Sequence, residues 1–360
     1  MATSLASSRA DEDLAETLAD HVRRAAEERR PLRIVGGDTK AFYGRAVDGE
    51  TLSLAGHRGI VAYDPSELVV VARAGTPLAG IEARLADHGQ RLAFEPPRFG
   101  PASTIGGVVA AGLSGPRRPF AGAVRDSVLG ATILDGRGQA LRFGGQVFKN
   151  VAGFDAFRLM AGAQGSLGAI LEVSLRVAPA PRREAALALE MAPAAARARL
   201  AELMRRPTSL SGAFHDGSRL HLRLSGGEAG VEAMARELGG EAEPLAFWDE
   251  VRDFRHPAFG GEGRLWRLSL PQTAPIPDVG DLAAWDWAGS QVWLRAETAS
   301  DTVWRAAAAA GGHATLFHGA APGEEVFQPL APALLSLHRR LKAALDPAGV
   351  LNPGRLYGAL

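Results

Sequence analysis

The first hundred residues combine one amphipathic helical pattern with a series of short apolar runs. Leu14, Leu18 and Val22 recur at four-residue spacing, with acids early and arginines late, which predicts a helix over 10–29 that ends before Pro31. The apolar runs are bounded by glycine, aspartate or proline and predict strands at 32–35, 51–54, 59–63, 68–74 and 91–97. This part of the chain is therefore predicted to be rich in short strands.

A second helix is predicted over 76–89, between two of these strands. Thr76 is placed at its N-cap, Pro77 in its first turn and Gly89 at its C-cap. Residues 130–145 are typical of a β-hairpin, with the sequence DGRG forming its turn.

The pattern changes after a strand predicted at 170–179, in which apolar and polar residues alternate as in a half-buried strand. The proline- and arginine-rich segment 178–184 indicates a domain boundary. Beyond it, elements alternate as in a split β-α-β unit, and all six tryptophans lie in this part of the chain. A final helix near 331–345 leads into a proline- and glycine-rich tail. The predicted segments are 1–178, 179–335 and 336–360.

Composition and charge exclude several classes of function. A length of 360 residues suits two domains, and forty basic and forty acidic side chains cancel, which argues against nucleic acid as the main partner. The absence of cysteine excludes disulfides and cysteine-ligated iron–sulfur or zinc sites within this chain, and favours a cytoplasmic setting. The N-terminus lacks the apolar core of a signal peptide, and no apolar run could span a bilayer. Any membrane association is therefore expected to be peripheral or through a partner.

The segment VGGDTK at 35–40 places two glycines, an acid, a hydroxyl and a lysine directly after a predicted strand. Glycines allow backbone N–H groups to converge on an anion, and Thr39 and Lys40 supply further donors. A diphosphate is the ligand that suits such a loop, although a plain strand–loop turn has the same pattern. The segment matches neither a Walker A loop nor a GxGxxG fingerprint.

A second glycine-rich stretch, PPRFGPASTIGGVVAAGLSGPRRP at 96–119, crowds small residues together. Missing side chains would let a large flat group lie against the backbone. The alternative is a tightly packed helix with a small-residue face. Arg117 and Arg118 could bind a carboxylate or a partner, or they could simply be solvated.

A third stretch, KNVAGFDAFRLMAGAQGSLGAI at 149–170, repeats glycine every three residues beside Gln164 and Ser166 and runs straight into a strand. Together the three stretches resemble the FAD-binding domain of the vanillyl-alcohol oxidase/p-cresol methylhydroxylase family. In that family a GGGTS-like loop holds the FAD pyrophosphate, a TIGG segment lines the flavin, and a GSLG-type segment leads into a strand beside the nucleotide. The resemblance covers about 31–178 and 336–360.

This resemblance implies an α+β fold, in which a two-subdomain FAD-binding domain carries a smaller α+β C-terminal domain. The loop at 36–40 would hold the pyrophosphate, the second stretch would lie along the flavin and ribityl chain, and the third would lie near the adenine. The tail DPAGVLNPGR would return to the flavin ring. The residues so assigned to FAD are Gly36, Gly37, Asp38, Thr39, Lys40, Pro97, Thr104, Ile105, Gly106, Gly107, Ala110, Ala111, Gly112, Ser166, Leu167, Gly168, Ile170 and Asn352.

No catalytic residue and no metal site is predicted. The 2-hydroxy-acid dehydrogenases of the family share an HxGxGxxH-type stretch, whose nearest counterpart here contains His313 and His318. Five residues apart on a strand, these two side chains would lie on opposite faces and make a poor metal pair. Some family members attach flavin covalently through histidine or cysteine. Because cysteine is absent and Asp38 stands where a linking histidine would sit, FAD is expected to be held non-covalently.

The sequences of the three stretches are most similar to those of the FAD-binding subunits of bacterial glycolate oxidases. This implies a part in the oxidation of glycolate to glyoxylate, beside a catalytic flavin subunit and an iron–sulfur subunit that sends electrons to the membrane quinone pool. A free-standing FAD-dependent 2-hydroxy-acid dehydrogenase is a second hypothesis, with Arg118 and either His313 or His318 as its carboxylate ligand and base. A structural subunit with a weak or empty flavin site is a third.

Overall fold

The computed structural model describes residues 13–145 and 155–360. The helices of the first part are α1 (Ala15–Glu27), α2 (Leu78–Ala86), α3 (Ile105–Ala111), α4 (Arg118–Ala121) and α5 (Val124–Ser127). Its strands are β1 (Leu32–Val35), β2 (Glu50–Ser53), β3 (Ile60–Asp64), β4 (Val69–Arg73), β5 (Gln90–Arg91), β6 (Val128–Leu134), β7 (Ala140–Gly144), β8 (Ala169–Arg176) and β9 (Ala178–Pro179). One antiparallel sheet has the order β3-β4-β8-β6-β7, and β1 pairs in parallel with β2.

The second part contains a larger antiparallel sheet. Its strands are β10 (Arg183–Glu190), β11 (Leu210–His215), β12 (Arg219–Gly226), β13 (Glu241–Glu243), β14 (Leu265–Ser269), β15 (Asp281–Asp286), β16 (Gln291–Arg295) and β17 (His313–His318). They are ordered β13-β10-β12-β11-β15-β16-β14-β17. The helices are α6 (Pro193–Leu203), α7 (Glu228–Leu238), α8 (Ala246–Arg252), α9 (Ser300–Ala309) and α10 (Pro332–Leu345). Within the described ranges, no helix is both long enough and apolar enough to cross a bilayer.

Each sheet has its own hydrophobic core, and a third cluster joins them. In the first part, apolar side chains of α1, α2 and α3 pack with those of the five-stranded sheet. In the second part, Trp266 and Trp285 are fully buried under α6, α7 and α9. The joining cluster is aromatic and includes Tyr43, Trp293 and Phe317. The mixture of helices and antiparallel strands confirms the α+β class, whereas the segment bounds at 178 and 335 stay a prediction.

The prediction that Thr76 caps a helix is wrong. Helix α2 begins after Pro77, whose side chain offers no hydrogen bond. The Thr76 hydroxyl instead accepts from the Gly59 N–H at 2.9 Å and donates to the Arg73 carbonyl at 2.7 Å, so it stabilises the turn before the helix. At the other end, the C-cap is Asp87, and Gly89 follows it in a left-handed conformation with φ of +62°.

Two strand predictions also need correction. Of the strand expected at 91–97, only the start pairs with another strand, because Glu95 has a φ of +47° and two prolines without N–H donors follow it. Strand β8 is not half-buried, since it lies in the middle of its sheet and even Ser174 is only 4% exposed.

A buried ionic cluster connects loop residues of the first part with the eight-stranded sheet, and the solvated alternative for Arg117 is therefore wrong. The Arg117 side chain donates to Glu95 at 2.9 Å and to Glu184 at 2.7 Å, and it is only 4% exposed. Arg223 on β12 donates to the other oxygen of Glu95 at 2.7 Å. Arg118 is half-buried, with its guanidinium 4.2 Å from the ring centroid of Trp287.

Candidate cofactor-binding site

A cavity with about 1120 Å³ of empty space lies where the loop after β1, helix α3 and the C-terminal tail meet. Most of the residues assigned to FAD from the sequence line it. They are Gly36, Gly37, Asp38, Thr39, Lys40, Thr104, Gly106, Gly107, Ala110, Ala111, Gly168, Ile170 and Asn352. Residues separated by more than 300 positions in the sequence therefore share one cavity wall.

Five assigned residues do not line this cavity. Ile105, the first residue of α3, is fully buried in the hydrophobic core, and Gly112 ends that helix in a left-handed conformation. The Ser166 hydroxyl donates to a backbone carbonyl, and Leu167 packs against the core of the first part. Pro97 is buried at the start of the second glycine-rich stretch. Contact of each assigned residue with FAD stays a prediction, and KNVAGF at 149–154 lies outside the described residues.

The two glycines of the first loop allow a close approach between backbones. A Cβ atom at Gly36 would lie 2.3 Å from Oγ1 of Thr104, and one at Gly37 would lie 1.5 Å from the carbonyl oxygen of Ala102. Asp38 takes a positive φ and forms an exposed ion pair with Arg33. The loop thus packs directly against the segment that precedes α3 and leaves its outer side facing the cavity.

Lys40 places a positive charge at the cavity wall. Its Nζ donates to the Ser103 hydroxyl at 2.8 Å, and within the described residues no carboxylate lies within 4.0 Å of it. Burial lowers the pKa of Lys40 to about 8, although the charge of Asp253 partly opposes this. A half-buried ammonium group that forms no direct ion pair favours an anionic ligand.

The charge of Lys40 leads to a pH-dependent prediction for FAD affinity. We expect the affinity to be constant below about pH 8 and to fall by up to about tenfold per pH unit above it, because the free protein then loses the Lys40 proton. Lys40→Arg should remove the decline, because arginine stays charged. Lys40→Met should bind FAD about 10- to 100-fold more weakly at neutral pH. Fluorescence titration of the apo chain measures this, and a wild-type affinity that is flat to about pH 10 would contradict it.

The second glycine-rich stretch forms a short helix and also lines the cavity. Thr104 caps α3 by accepting from the Gly107 N–H at 3.3 Å, and Gly112 ends the helix. A Cβ at Gly106 would lie 2.5 Å from the Cβ of Ala74 on the neighbouring segment. The helical alternative is therefore correct for 105–111, and the small residues serve both its packing and the cavity wall.

The C-terminal tail closes the cavity through Asn352. Its Oδ1 accepts from the Ile34 N–H at 2.7 Å, and its Nδ2 donates to the Gln164 carbonyl at 2.6 Å. Behind it, the buried Lys342 donates to the carbonyls of Ser166 and Leu351 and to Asp346. These bonds fix the tail to β1 and to the third glycine-rich stretch.

Gln164 and Arg355 line the cavity but were not assigned to FAD from the sequence. The Gln164 side chain is buried, and neither its amide nitrogen nor its amide oxygen has a hydrogen-bond partner within the described residues. The Arg355 guanidinium donates to four backbone carbonyls of the segment 40–45 and so connects the tail to the first loop. Gln164 stands beside three glycines in the sequence, which is the signal that could have identified it.

The unpaired amide of Gln164 predicts opposite effects on ligand affinity and on stability. Gln164→Leu should weaken FAD binding about tenfold, because a donor and an acceptor in the cavity are lost. The free energy of unfolding of the apo chain should stay unchanged or rise by about 1 kcal/mol, because a polar group without a partner is no longer buried. FAD titration and urea unfolding of the apo variant measure the two quantities. Unchanged FAD affinity would contradict this role.

The two candidate metal ligands occupy the ends of one strand. His313 is the first residue of β17 and His318 is the last, and both are exposed. Among the residues that the structure describes, no group of three histidine, aspartate or glutamate side chains is arranged to hold a metal ion.

Comparisons with known proteins agree with this geometry. The family model of the FAD binding domain matches residues 13–144, and that of the FAD linked oxidases, C-terminal domain, matches residues 283–356. The chain is 46% identical to the glycolate oxidase subunit GlcE of Escherichia coli (strain K12) over 348 residues, which cover 97% of this chain and 99% of that protein. It is 31% identical to a D-lactate dehydrogenase of Anaerostipes hadrus over 46% of this chain and 35% of the other.

Two further similarities are more limited. The glycolate oxidase subunit GlcD of Bacillus subtilis (strain 168) is 36% identical over 85 residues, which cover 24% of this chain and 18% of that protein. A solved alkyldihydroxyacetonephosphate synthase superposes with a TM-score of 0.63 at 14% sequence identity, over 95% of this chain and 76% of the other. The structural similarity shows a shared fold.

Proposed function

The chain belongs to the family of FAD-linked oxidases that contains the Escherichia coli glycolate oxidase subunit GlcE, and we propose that it is the FAD-binding subunit of a glycolate oxidase. The observation that carries this proposal is the 46% identity to GlcE over nearly the whole length of both chains. FAD is the cofactor, and the residues of the cavity fit it. Lys40 supplies a positive charge for a diphosphate, and the unpaired amide of Gln164 supplies both a donor and an acceptor.

We assign each cavity wall to a part of FAD. Gly36 to Lys40 hold the pyrophosphate, and the exposed backbone of α3 lies along the flavin and ribityl chain. Gly168 and Ile170 lie on the adenine side, and Asn352 approaches the flavin ring from the tail. Bound FAD supplies the acceptor for hydride or electrons, while the protein orients it and excludes water. FAD is held without a covalent bond, since cysteine is absent and Asp38 occupies the loop position of a linking histidine.

We propose that the chain acts with two partners in the oxidation of glycolate to glyoxylate. One is a catalytic flavin subunit of the GlcD type, and the other is an iron–sulfur subunit that takes the electrons onward to membrane quinones. The division of labour is supported by the absence of cysteine, because this chain has no ligands for a conventional iron–sulfur cluster. The chain would then be cytoplasmic and would reach the membrane only through its partners.

The experiment that tests this function is a visible spectrum recorded before and after glycolate is added. The chain is measured alone and after reconstitution with both partners, without an electron acceptor. We expect the flavin absorbance of the complete complex to bleach and that of the isolated chain to remain. Bleaching of the isolated chain by glycolate would instead identify a dehydrogenase that works without partners.

The free-standing dehydrogenase stays a second candidate. Its expected residues are Arg118, which is half-buried in α4, and either His313 or His318, which are exposed at the two ends of β17. Turnover of glycolate by the isolated chain with a dye acceptor would favour this candidate. A purified chain that neither contains nor binds FAD would favour a structural subunit.

A further inference from the structure

Helix α10 leaves a row of apolar side chains open to solvent. Leu334, Leu337 and Leu341 follow one another at spacings of three and four residues, so they share one face of the helix. Leu334 is 43% exposed and Leu337 is 56% exposed, although both are large apolar residues. Leu341, the next residue along this face, is half-buried. We call these three residues the leucine ridge of α10.

Helix α6, by contrast, buries its leucines and exposes charges of both signs. Leu200 and Leu203 are at most 1% exposed, and Arg199 and Glu202 form an ion pair on the solvent side of that helix. In α10, all of which the structure describes, the one buried residue is Lys342. The leucine ridge is therefore not needed for packing within the described part of the chain, and exposed apolar side chains grouped in this way are typical of an interaction surface.

The exposed charges of α10 are all positive. The helix contains no aspartate or glutamate, and Arg339 and Arg340 are both exposed. Over residues 13–145 and 155–360, no carboxylate lies within 4.0 Å of either arginine, and the Arg339 guanidinium donates only to the Ala359 carbonyl, at 3.4 Å. Arg340 adjoins the ridge, because it lies three residues after Leu337. A second copy packed on this ridge would bring only positive charges to the shared contact, whereas a surface with carboxylates would be attracted to it.

The leucine ridge is held in a fixed position by the opposite side of the helix. Lys342 donates to the carbonyls of Ser166 and Leu351, at 2.8 and 2.6 Å. Its ammonium group also pairs with the Asp346 carboxylate at 2.6 Å. Because Leu351 directly precedes Asn352, these bonds connect α10 to the wall of the FAD cavity. A surface that is ordered before association loses less conformational entropy when a partner binds.

We propose that the leucine ridge of α10 docks a partner subunit whose surface offers an apolar groove edged by carboxylates. The leucines supply the apolar area that is buried on association, and Arg340 supplies a charge at the rim that favours acidic partners. The mode of recognition is an amphipathic helix laid into a groove, with contacts at positions i, i+3 and i+7. This inference rests on the proposed function, because the occupant belongs to the assembly of the two subunits proposed to act with this chain.

The test is a fluorescence titration of the labelled, FAD-loaded full-length chain with the assembly of the catalytic flavin subunit and the iron–sulfur subunit. Leu337→Asp should weaken binding at least about 100-fold, and Leu334→Asp about 10- to 100-fold. Arg340→Glu should weaken it about tenfold and make it less sensitive to added salt. Leu245→Asp is the matched control, because Leu245 is 43% exposed, as Leu334 is, but lies outside α10.

Each outcome either supports or overturns the inference. Weaker binding by the three α10 variants, with FAD content, urea unfolding and the control unchanged, supports it. Equal affinity of the wild type and all of the variants overturns it and leaves the proposed function intact. A wild-type chain that sediments alone as a dimer, which Leu337→Asp converts into a monomer, assigns the ridge to a second copy and also overturns it. A wild-type chain that binds neither subunit would count against the proposed function as well as the inference.

Discussion

Replacing Gly37 with alanine is expected to abolish retention of FAD by the purified chain. The added Cβ would lie 1.5 Å from the carbonyl oxygen of Ala102, whereas real Cβ contacts are not found under 3.0 Å. The obstacle is backbone, so no side-chain rotation can relieve it, and the loop must move away from the segment before α3. Because this movement displaces Lys40 and the loop N–H groups together, FAD affinity should fall at least about 100-fold, or about 2.8 kcal/mol.

The matched control is Gly80→Ala in helix α2. A Cβ at Gly80 would meet nothing within 4 Å, and alanine favours a helix more than glycine does. This variant should keep wild-type FAD affinity and gain about 0.5–1 kcal/mol in free energy of unfolding. Equilibrium dialysis with FAD and urea unfolding compare the two variants. A Gly37→Ala chain that keeps wild-type FAD affinity would refute the close contact between loop and segment.

Replacing Glu95 with glutamine should destabilise the protein by about 3–5 kcal/mol. The Glu95 carboxylate accepts from both Arg117 and Arg223, which are almost fully buried. Without its charge, three arginines (Arg91, Arg117 and Arg223) would share the single carboxylate of Glu184. Since this cluster joins the first part of the chain to the eight-stranded sheet, the loss should appear in the unfolding of the whole chain.

Glu95 should also make the free energy of unfolding depend on pH in the acid range. Burial alone would raise the pKa of Glu95, but Arg223 and Arg117 outweigh it and hold the pKa at about 2. A carboxyl group with a lowered pKa stabilises the fold fully above its unfolded pKa of about 4.5, and that stability is lost as the pH falls toward 2. The Glu95→Gln variant should lack this part of the acid transition.

Urea unfolding between neutral pH and about pH 3 measures both effects. Glu237→Gln is the control, because Glu237 forms an exposed ion pair with Arg206 and should change the free energy of unfolding by less than about 1 kcal/mol. If Glu95→Gln changed the free energy of unfolding as little as this control, the buried cluster would not be a major source of stability.

The elements that the sequence predicted well are those whose signal is local. Leu18 and Val22 recur on one face of α1, and glycines after a strand already indicated the loop at 36–40. The errors depended on distant partners. Arg117 looks like a solvated arginine until the fold brings Glu184 and Ser225 to it, and Thr76 resembles an N-cap until its hydroxyl meets Gly59.

The candidate site likewise contains features with a local sequence signal and features that depend on the folded structure. Motif residues such as Gly37 and Thr104 could be located because their small or capping side chains carry a recognisable pattern. The glycines around Gln164 marked its position, but its unpaired amide could not be predicted, because the lack of partners follows from burial in the folded chain.

We propose that this chain holds FAD non-covalently in the cavity between its first loop and its tail. The most direct test is a visible absorption spectrum of the full chain, purified without partners and freed of unbound flavin, followed by acid precipitation. We predict flavin bands in the native sample and all of the flavin in the supernatant after precipitation. A chain that lacks flavin and fails to take up added FAD, or flavin that stays in the precipitate, would contradict the claim.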